Sequence, residues 1–284
     1  MTMNRKEAYE YGIAVLTDAG IKEAKTDTLL LLFYICKADR NDIYVHGEEL
    51  LSDKEEQSYR NAVEKRTHHI PVQYITGRQN FMGLEFFVDE HVLIPRQDTE
   101  ILVEEVLKNL SDGFRILDMC TGSGCILLSL LRYSNNCVGM GVDVSEDALE
   151  VAKKNSEELS ADATFLQSDL FTQVEGRFDM IVSNPPYIRS DVMETLMEEV
   201  REFEPMLALD GKEDGLFFYR EIVKGSKTHL VSGGMLFFEI GYDQAADVTE
   251  LMKQAGFVDI TVEKDYAGLD RVVYGTLFGG NTNV

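Results

Sequence analysis

Apolar residues recur at three- and four-residue spacing over Lys6–Thr17 and Glu23–Cys36, which predicts two amphipathic helices. Ser52-Asp53-Lys54-Glu55 is a capping-box pattern, and the helix it opens is expected to run to about Arg66. Pro71 and Gly77 then interrupt the chain. Residues 81–94 place Phe86, Phe87, Val88, Val92, Leu93 and Ile94 around a polar Asp89-Glu90, which predicts a β-hairpin bridging two domains. From about residue 97 apolar runs alternate with amphipathic helices: Ile116-Leu117, Val138–Val142, Thr164–Leu166, Met180–Val182 and Met235–Ile240. That alternation predicts a doubly wound α/β sheet. Val258–Val262 and Arg271–Leu277 are expected to pair as a final hairpin-like edge. The pattern divides the chain into a helical domain over residues 1–75, a linker with the hairpin over 76–96, and an α/β domain over 97–284.

Several classes are disfavoured. The longest apolar run, Leu29–Cys36, is far shorter than the roughly 18–20 residues that span a bilayer, and reads as one side of a buried helix. The N-terminus has no apolar core of a secretory signal. Cys36, Cys120, Cys125 and Cys137 form no CxxC pair, and the histidines no HExxH spacing; His68-His69 reads as helix-end polarity, and no metal site is expected. Free thiols suit a reducing cytoplasm, which is the expected location. With 27 basic and 50 acidic residues the net charge is −23, unlike a protein that neutralises a phosphate backbone. Residues 1–80 hold 11 basic and 13 acidic groups, so the acidity belongs to the α/β domain.

The strand Arg115–Asp118 runs into Met119-Cys120-Thr121-Gly122-Ser123-Gly124, with a helix opening near Cys125. Glycines at such a turn let backbone approach a ligand. Leu127 stands where dinucleotide enzymes place a third glycine, and Asp118 at the strand end would repel a diphosphate. It suits the ammonium and sulfonium of S-adenosylmethionine. The next strand ends in Asp143 and Val144, where an acid some 20 residues past the glycine turn is placed to accept both ribose hydroxyls. Asp169 and Leu170, after the third strand, are placed for the amine and ring nitrogen of adenine. Each acid read singly is also an ordinary turn residue or helix cap. Three at successive strand ends point to one ligand.

The fourth strand delivers Asn184-Pro185-Pro186-Tyr187. The prolines stiffen the turn and fix the Asn184 side chain against the Pro185 carbonyl. Both accept hydrogen bonds, so together they can clamp the two N–H bonds of a planar NH₂ group. Tyr187 offers a face for stacking.

This tetrad resembles the Asn-Pro-Pro-Tyr motif of amino-group methyltransferases that use S-adenosylmethionine. The whole chain resembles the peptide-chain-release-factor glutamine N5-methyltransferases, the HemK/PrmC family. The likeness is carried by Pro71–Gly77, Phe81–Phe86, Ile94–Glu100, Val182–Ile188, Phe203-Glu204-Pro205 and Glu213–Tyr219. It implies a Rossmann-like, seven-stranded class I methyltransferase sheet with a small N-terminal helical domain that docks the release factor. It implies Cys120, Thr121, Gly122, Ser123 and Gly124 as the cofactor loop, Asp143 for ribose, Asp169 and Leu170 for adenine, and Asn184–Tyr187 as the amide clamp. Cys120 stands where a glycine is frequent, Leu170 where some members carry an aromatic, and Gln97 where Pro or Glu is common.

The implied activity is methyl transfer from S-adenosylmethionine to the glutamine of the release-factor Gly-Gly-Gln motif, in support of translation termination, leaving S-adenosylhomocysteine. A monomer without stable nucleic-acid binding is expected. The alternatives are a DNA adenine or cytosine methyltransferase, an RNA or ribosomal-protein-glutamine methyltransferase, and an idle S-adenosylmethionine-binding scaffold.

Overall fold

A computed structural model describes residues 2–278 and divides the chain into two compact units. The first comprises Met1–Arg78 with Met197–Phe203, the second Gln79–Leu196 with Glu204–Val284.

In the first unit α1 (Arg5–Asp18), α2 (Ala24–Cys36), α3 (Arg40–Val45), α4 (Asp53–Thr67) and α5 (Val72–Thr76) follow one another. The starts of α1, α3 and α4 are written locally. Asn4, Asp39 and Ser52 each accept from the backbone N–H three residues on, and Glu7, Asp42 and Glu55 reciprocate. Leu16, Leu31, Leu32 and Val63 form the core, where Tyr59 donates to the Ala8 carbonyl at 2.9 Å. Within the Leu29–Cys36 run Leu31, Leu32 and Cys36 are buried while Phe33 is exposed, so the run is one side of a helix. Buried Arg66 donates to Asp27 at 2.7 Å and pairs with Glu199 at 2.8 Å, tying residues 197–203 to this unit.

The second unit, from Gln79, opens within a hairpin of β1 (Arg78–Phe81) and β2 (Leu84–Phe87). Its turn is Met82-Gly83, not Asp89-Glu90. A type I′ hairpin turn takes positive φ at both of its central positions, and these two have φ 52° and 71°. Asp89 and Glu90 lie beyond β2 in irregular chain. The aromatic cluster drew the expectation to the wrong polar pair. Phe81 and Phe86 are buried in the core of this unit.

The sheet follows: α6 (Gln97–Asn109), β3 (Arg115–Met119), α7 (Cys125–Arg132), β4 (Val138–Asp143), α8 (Glu146–Leu159), β5 (Ala163–Gln167) and β6 (Phe178–Ser183). After α9 (Glu198–Phe203), which belongs to the first unit, come α10 (Phe217–His229), β7 (Leu230–Glu239), α11 (Ala245–Ala255), β8 (Phe257–Lys264) and β9 (Asp270–Leu277). The seven strands are ordered β5-β4-β3-β6-β7-β9-β8, parallel except for antiparallel β9 against β7 and β8. Along the central strands Ile116, Met180, Val182 and Phe237 enter one core layer; Leu117, Ile181, Leu236 and Phe238 enter the other. Strands apolar on both faces need helices on both, which is why they read as unbroken apolar runs. The order reverses between β3 and β6, and in such sheets the crevice at that switch point, beyond the strand C-termini, receives ligands.

Candidate active site

A cavity of about 920 Å³ opens at that switch point. Its wall takes residues from the ends of four strands: Cys120–Ser123 after β3, Asp143–Ser145 after β4, Ser168–Thr172 after β5, and Asn184 with Pro186 after β6. Thr99, residues 91–93, Pro95 and Arg96, Pro205, Leu207, Ala208 and Lys212 also contribute, together with residues of α10.

The loop after β3 is shaped by backbone. Cys120, Gly122 and Gly124 have φ of 62°, 54° and 78°. A Cβ at Gly122 would meet nothing within 4 Å, so glycine is needed there for its conformation, and the space before it stays open. Asp143 holds this loop to β4: its carboxylate accepts from Gly122 N at 2.9 Å and Ser145 N at 3.0 Å. Burial pushes the Asp143 pKa up, opposed by the N–H groups of Ser145, Gly122 and Val144. Each oxygen keeps further acceptor capacity, and Asp143 lines the cavity. Leu170, at φ 48°, and exposed Asp169 form the next wall, fastened by Ser168, whose N donates to the Asp143 carbonyl at 2.9 Å and whose hydroxyl donates to the Leu170 carbonyl at 2.9 Å.

Asp118 is placed differently from Asp143. It is fully buried and does not line the cavity; Oδ2 accepts from the Thr121 hydroxyl at 2.6 Å, and Oδ1 has no hydrogen-bond partner among the described residues. Burial raises its pKa to about 7. It sits behind the loop and holds it from within.

At the end of β6 the tetrad is held by side chains from distant segments. The Asn184 NH₂ donates to Thr99 Oγ1 at 3.3 Å, which leaves Oδ1 as an acceptor. Ser183 Oγ donates to the Met119 carbonyl at 2.6 Å and locks β6 to β3 where loop and tetrad depart. Pro185 and Pro186 are buried. The Tyr187 ring packs on the core layer beneath α10 and α11, and its hydroxyl donates to Glu239 Oε1 at 3.4 Å. Burial drives the Tyr187 pKa well up, so it remains a phenol. Its carbonyl accepts from Gln244 Nε2 at 3.1 Å. Gly215, φ 73°, lets the neighbouring loop press close: a Cβ there would lie 2.5 Å from the Tyr187 oxygen.

Residues 7–77 match the model of the PrmC N-terminal domain, and residues 96–212 that of the methyltransferase small domain. A curated release factor glutamine methyltransferase from Clostridium acetobutylicum is 40% identical over 278 residues, 95% of this chain and 98% of that one. Its counterpart from Geobacter sulfurreducens is 41% identical over 263 residues, 92% and 93% of the two chains. The chain belongs to the release factor glutamine methyltransferase family. Solved structures share its fold: a methyltransferase from Pyrococcus furiosus (TM-score 0.53, 18% identity, 70% of this chain and 91% of that one), and a ribosomal protein L11 methylase from Lactobacillus delbrueckii (0.50, 16%, 68% and 84%).

For this family member, several residues at the site carry no local sequence signal. Buried Asn155 accepts from Phe87 N at 2.7 Å and donates to the carbonyls of Phe87 and Ser123 at 3.0 and 2.9 Å, joining hairpin, α8 and glycine loop. Arg96 donates to buried Glu204, pairing two of the motif blocks. Thr99, Glu239 and Gln244 brace the tetrad. Arg96 and Thr99 fall in the Ile94–Glu100 block and Glu204 in Phe203-Glu204-Pro205, which only the family resemblance had marked. No group of three or more His, Cys, Asp or Glu among the described residues could hold a metal ion, and none of their helices is long and apolar enough to cross a membrane.

Proposed function

We propose that this methyltransferase moves a methyl group from S-adenosylmethionine to the side-chain amide nitrogen of a glutamine in peptide chain release factors, that of their Gly-Gly-Gln motif, and so serves translation termination. The observation that carries this reading is the commitment of the Asn184 NH₂ to Thr99, which leaves Oδ1 as an acceptor on a residue that lines the glycine-loop cavity. The names of the full-length relatives support the substrate.

The cavity residues fit the cofactor chemically. Open space before Gly122 admits a ligand against backbone, Asp143 retains acceptor capacity for two hydroxyls, and Asp169 is exposed for an amine. We assign Cys120, Thr121, Gly122, Ser123, Gly124, Asp143, Val144, Asp169 and Leu170 to holding it, with Asp118 acting through the loop. Bound there, S-adenosylmethionine supplies an electrophilic methyl group. The protein's task is the amide. A carboxamide nitrogen shares its lone pair with the carbonyl and is a weak nucleophile. Asn184 Oδ1 and the Pro185 carbonyl, each accepting one N–H, turn the nitrogen toward the methyl and favour pyramidalisation. Such positioning lowers barriers by about 7–11 kcal/mol in favourable cases. Acceptors aimed at the charge developing on nitrogen add an electrostatic contribution. Pro186 stiffens the turn, and Tyr187 anchors its end. The methylated nitrogen is strongly acidic and loses its proton to water, so no dedicated base is required.

We assign release-factor docking to the helical residues 1–75, joined through 76–96 to the chemistry of 97–284. Exposed Tyr44, Val45 and Leu50 on the helical unit support that role. The protein acts as a cytoplasmic monomer, without metal or stable nucleic-acid binding. Methyl transfer from labelled S-adenosylmethionine should reach purified release factor and spare both its Gly-Gly-Gln glutamine mutant and DNA. Label on DNA or on the mutant overturns the assignment.

A further inference from the structure

A glutamine side chain reaches the clamp only from the backbone that carries it. That backbone must lie outside the clamp, along the part of the cavity rim beside the tetrad. The glycine loop and the ends of β4 and β5 are assigned to the cofactor, which leaves the remaining wall to the acceptor. Leu207 and Phe217 belong to that wall. Each is large and apolar, and each is open to solvent, at 53% and 40% exposure, although it lines the cavity.

The chain between them is pressed onto the exit of the tetrad. Ile188 N donates to the Leu209 carbonyl at 3.0 Å, and Gly211 N to the Ile188 carbonyl at 2.7 Å. A Cβ at Gly211 would lie 2.7 Å from the Tyr187 Cα and carbonyl carbon. Leu207 stands two residues before this pairing, and Phe217 two residues after Gly215. Both are held in place. The turn Met206–Ala208 closes through Ala208 N to the Pro205 carbonyl at 2.9 Å and Asp210 N to the Met206 carbonyl at 3.0 Å. Glu204, just before it, is buried and paired with Arg96. Asp214 fixes the chain ahead of Phe217, accepting from Leu216 N at 3.0 Å and from Arg220 at 2.8 and 3.0 Å. Phe217 itself meets Phe218 edge to face, with centroids 5.1 Å apart. Met206 is exposed as well. Apolar surface fixed open at the wall of a binding cavity marks a place where a partner is received.

Charge selects the occupant. Between Leu207 and Phe217 the chain carries Asp210, Glu213 and Asp214 against Lys212. A phosphate backbone laid there would meet an excess of negative charge. A polypeptide backbone carries no such charge, and it can bury its apolar atoms on both side chains.

We propose that Leu207 and Phe217 are specificity-determining residues: they form the ledge on which the acceptor polypeptide lies where it flanks the methylated glutamine. The inference rests on release factor as the substrate. Loss of either side chain removes apolar contact from acceptor binding and leaves the clamp and the cofactor loop in place.

Leu207→Ser and Phe217→Ser test it, with Val138→Ser as control. Val138 opens β4, is exposed, and lies outside the cavity lining. Each variant is assayed with labelled S-adenosylmethionine and purified release factor. The two ledge variants should each raise the acceptor KM about five- to tenfold, as expected when roughly half of an apolar side chain no longer becomes buried. Together they should raise it by about the product. Changes in kcat should be far smaller, and the affinity for S-adenosylhomocysteine by calorimetry should stay within about twofold. Leu207→Met and Phe217→Leu, which keep the apolar surface, should stay within about threefold of the wild-type KM. An unchanged KM in either serine variant overturns the proposal, as does an equal rise in Val138→Ser. Weakened S-adenosylhomocysteine binding with an unchanged acceptor KM places these residues on the cofactor and overturns it too. Release factor left unlabelled by the wild type strikes the substrate assignment, and the occupant with it; once the wild type labels it, the variants judge the ledge alone.

Discussion

The loops that leave β3 and β6 stand side by side at the switch point and are built in opposite ways. After β3 the chain bends through positive φ at Cys120, Gly122 and Gly124, and its polar tethers, Asp118, Thr121 and Asp143, lie within 25 residues. After β6 the prolines give local stiffness, but the groups that orient the side chains come from far away: Thr99 from α6, Glu239 from the end of β7, Gln244 from the turn beyond. A loop that presents its backbone can be shaped by local conformational preference. A loop that must aim one amide needs a directional partner, and local chain supplies none. The first loop is therefore expected to govern cofactor affinity, and the second the rate of transfer.

The largest expected effect tests that division. Asn184→Ala should reduce kcat by about 10²–10³-fold or more, as removal of an aimed hydrogen-bonding group does elsewhere, while S-adenosylhomocysteine affinity by calorimetry changes only a few-fold. Near-normal turnover would sink the clamp. Asp143→Ala should do the reverse. Hydrogen bonds to a charged group are worth about 1.5–3 kcal/mol, so affinity should fall by roughly 10–100-fold, with kcat at saturating cofactor much less affected. Equal losses in both variants, in both parameters, would erase the distinction between the loops.

A smaller effect concerns the buried acids behind each loop. Asp118 and Glu239 are both raised to about 7 by burial, from ordinary values of 3.8 and 4.5. Between about pH 4 and 7 each keeps its proton in the folded protein and loses it in the unfolded chain. The folded state then binds more protons, so stability falls as pH rises through this window and levels off above it. Acids held low by partners, such as Asp214 at about 2, act below the window. The melting temperature should be higher at pH 5.5 than at pH 8, and Asp118→Asn should lessen the difference. An undiminished difference would mean that repulsion among the net −23 charges, not burial, sets the slope. The smallest effect is Cys120→Gly, which relieves a left-handed non-glycine residue and should stabilise by about 1 kcal/mol, read in denaturant melts. No gain would show that the loop carries no strain there.

The strands, the glycine turn and the tetrad were legible because period, punctuation and turn chemistry are local. The starts of α1, α3 and α4 reflect the same kind of information: a side chain three residues away satisfies the backbone. The hairpin was legible as an element and misplaced in register, since Met82 gives no sign that it adopts φ 52° until Gly83 and Glu100, which accepts from Met82 N at 2.6 Å, are assembled around it. Asp118 shows a subtler limit. Its position at a strand end was readable, but whether it faces the cavity or the interior depends on how the loop folds over it, and its side chain lies inside.

By itself, then, the sequence determined which segments form the sheet, where the chain turns back, and which residues leave the strand ends, because these follow from spacing and from the allowed backbone conformations of glycine and proline. Only the tertiary structure decided which acid is open to a ligand, which carboxylate receives the Tyr187 hydroxyl, and how Thr99, Asn155 and Gln244 join segments separated by many tens of residues. The physical reason is that hydrogen-bond direction and burial belong to pairs of groups brought together by the fold, and a pattern along the chain records only one member of each pair.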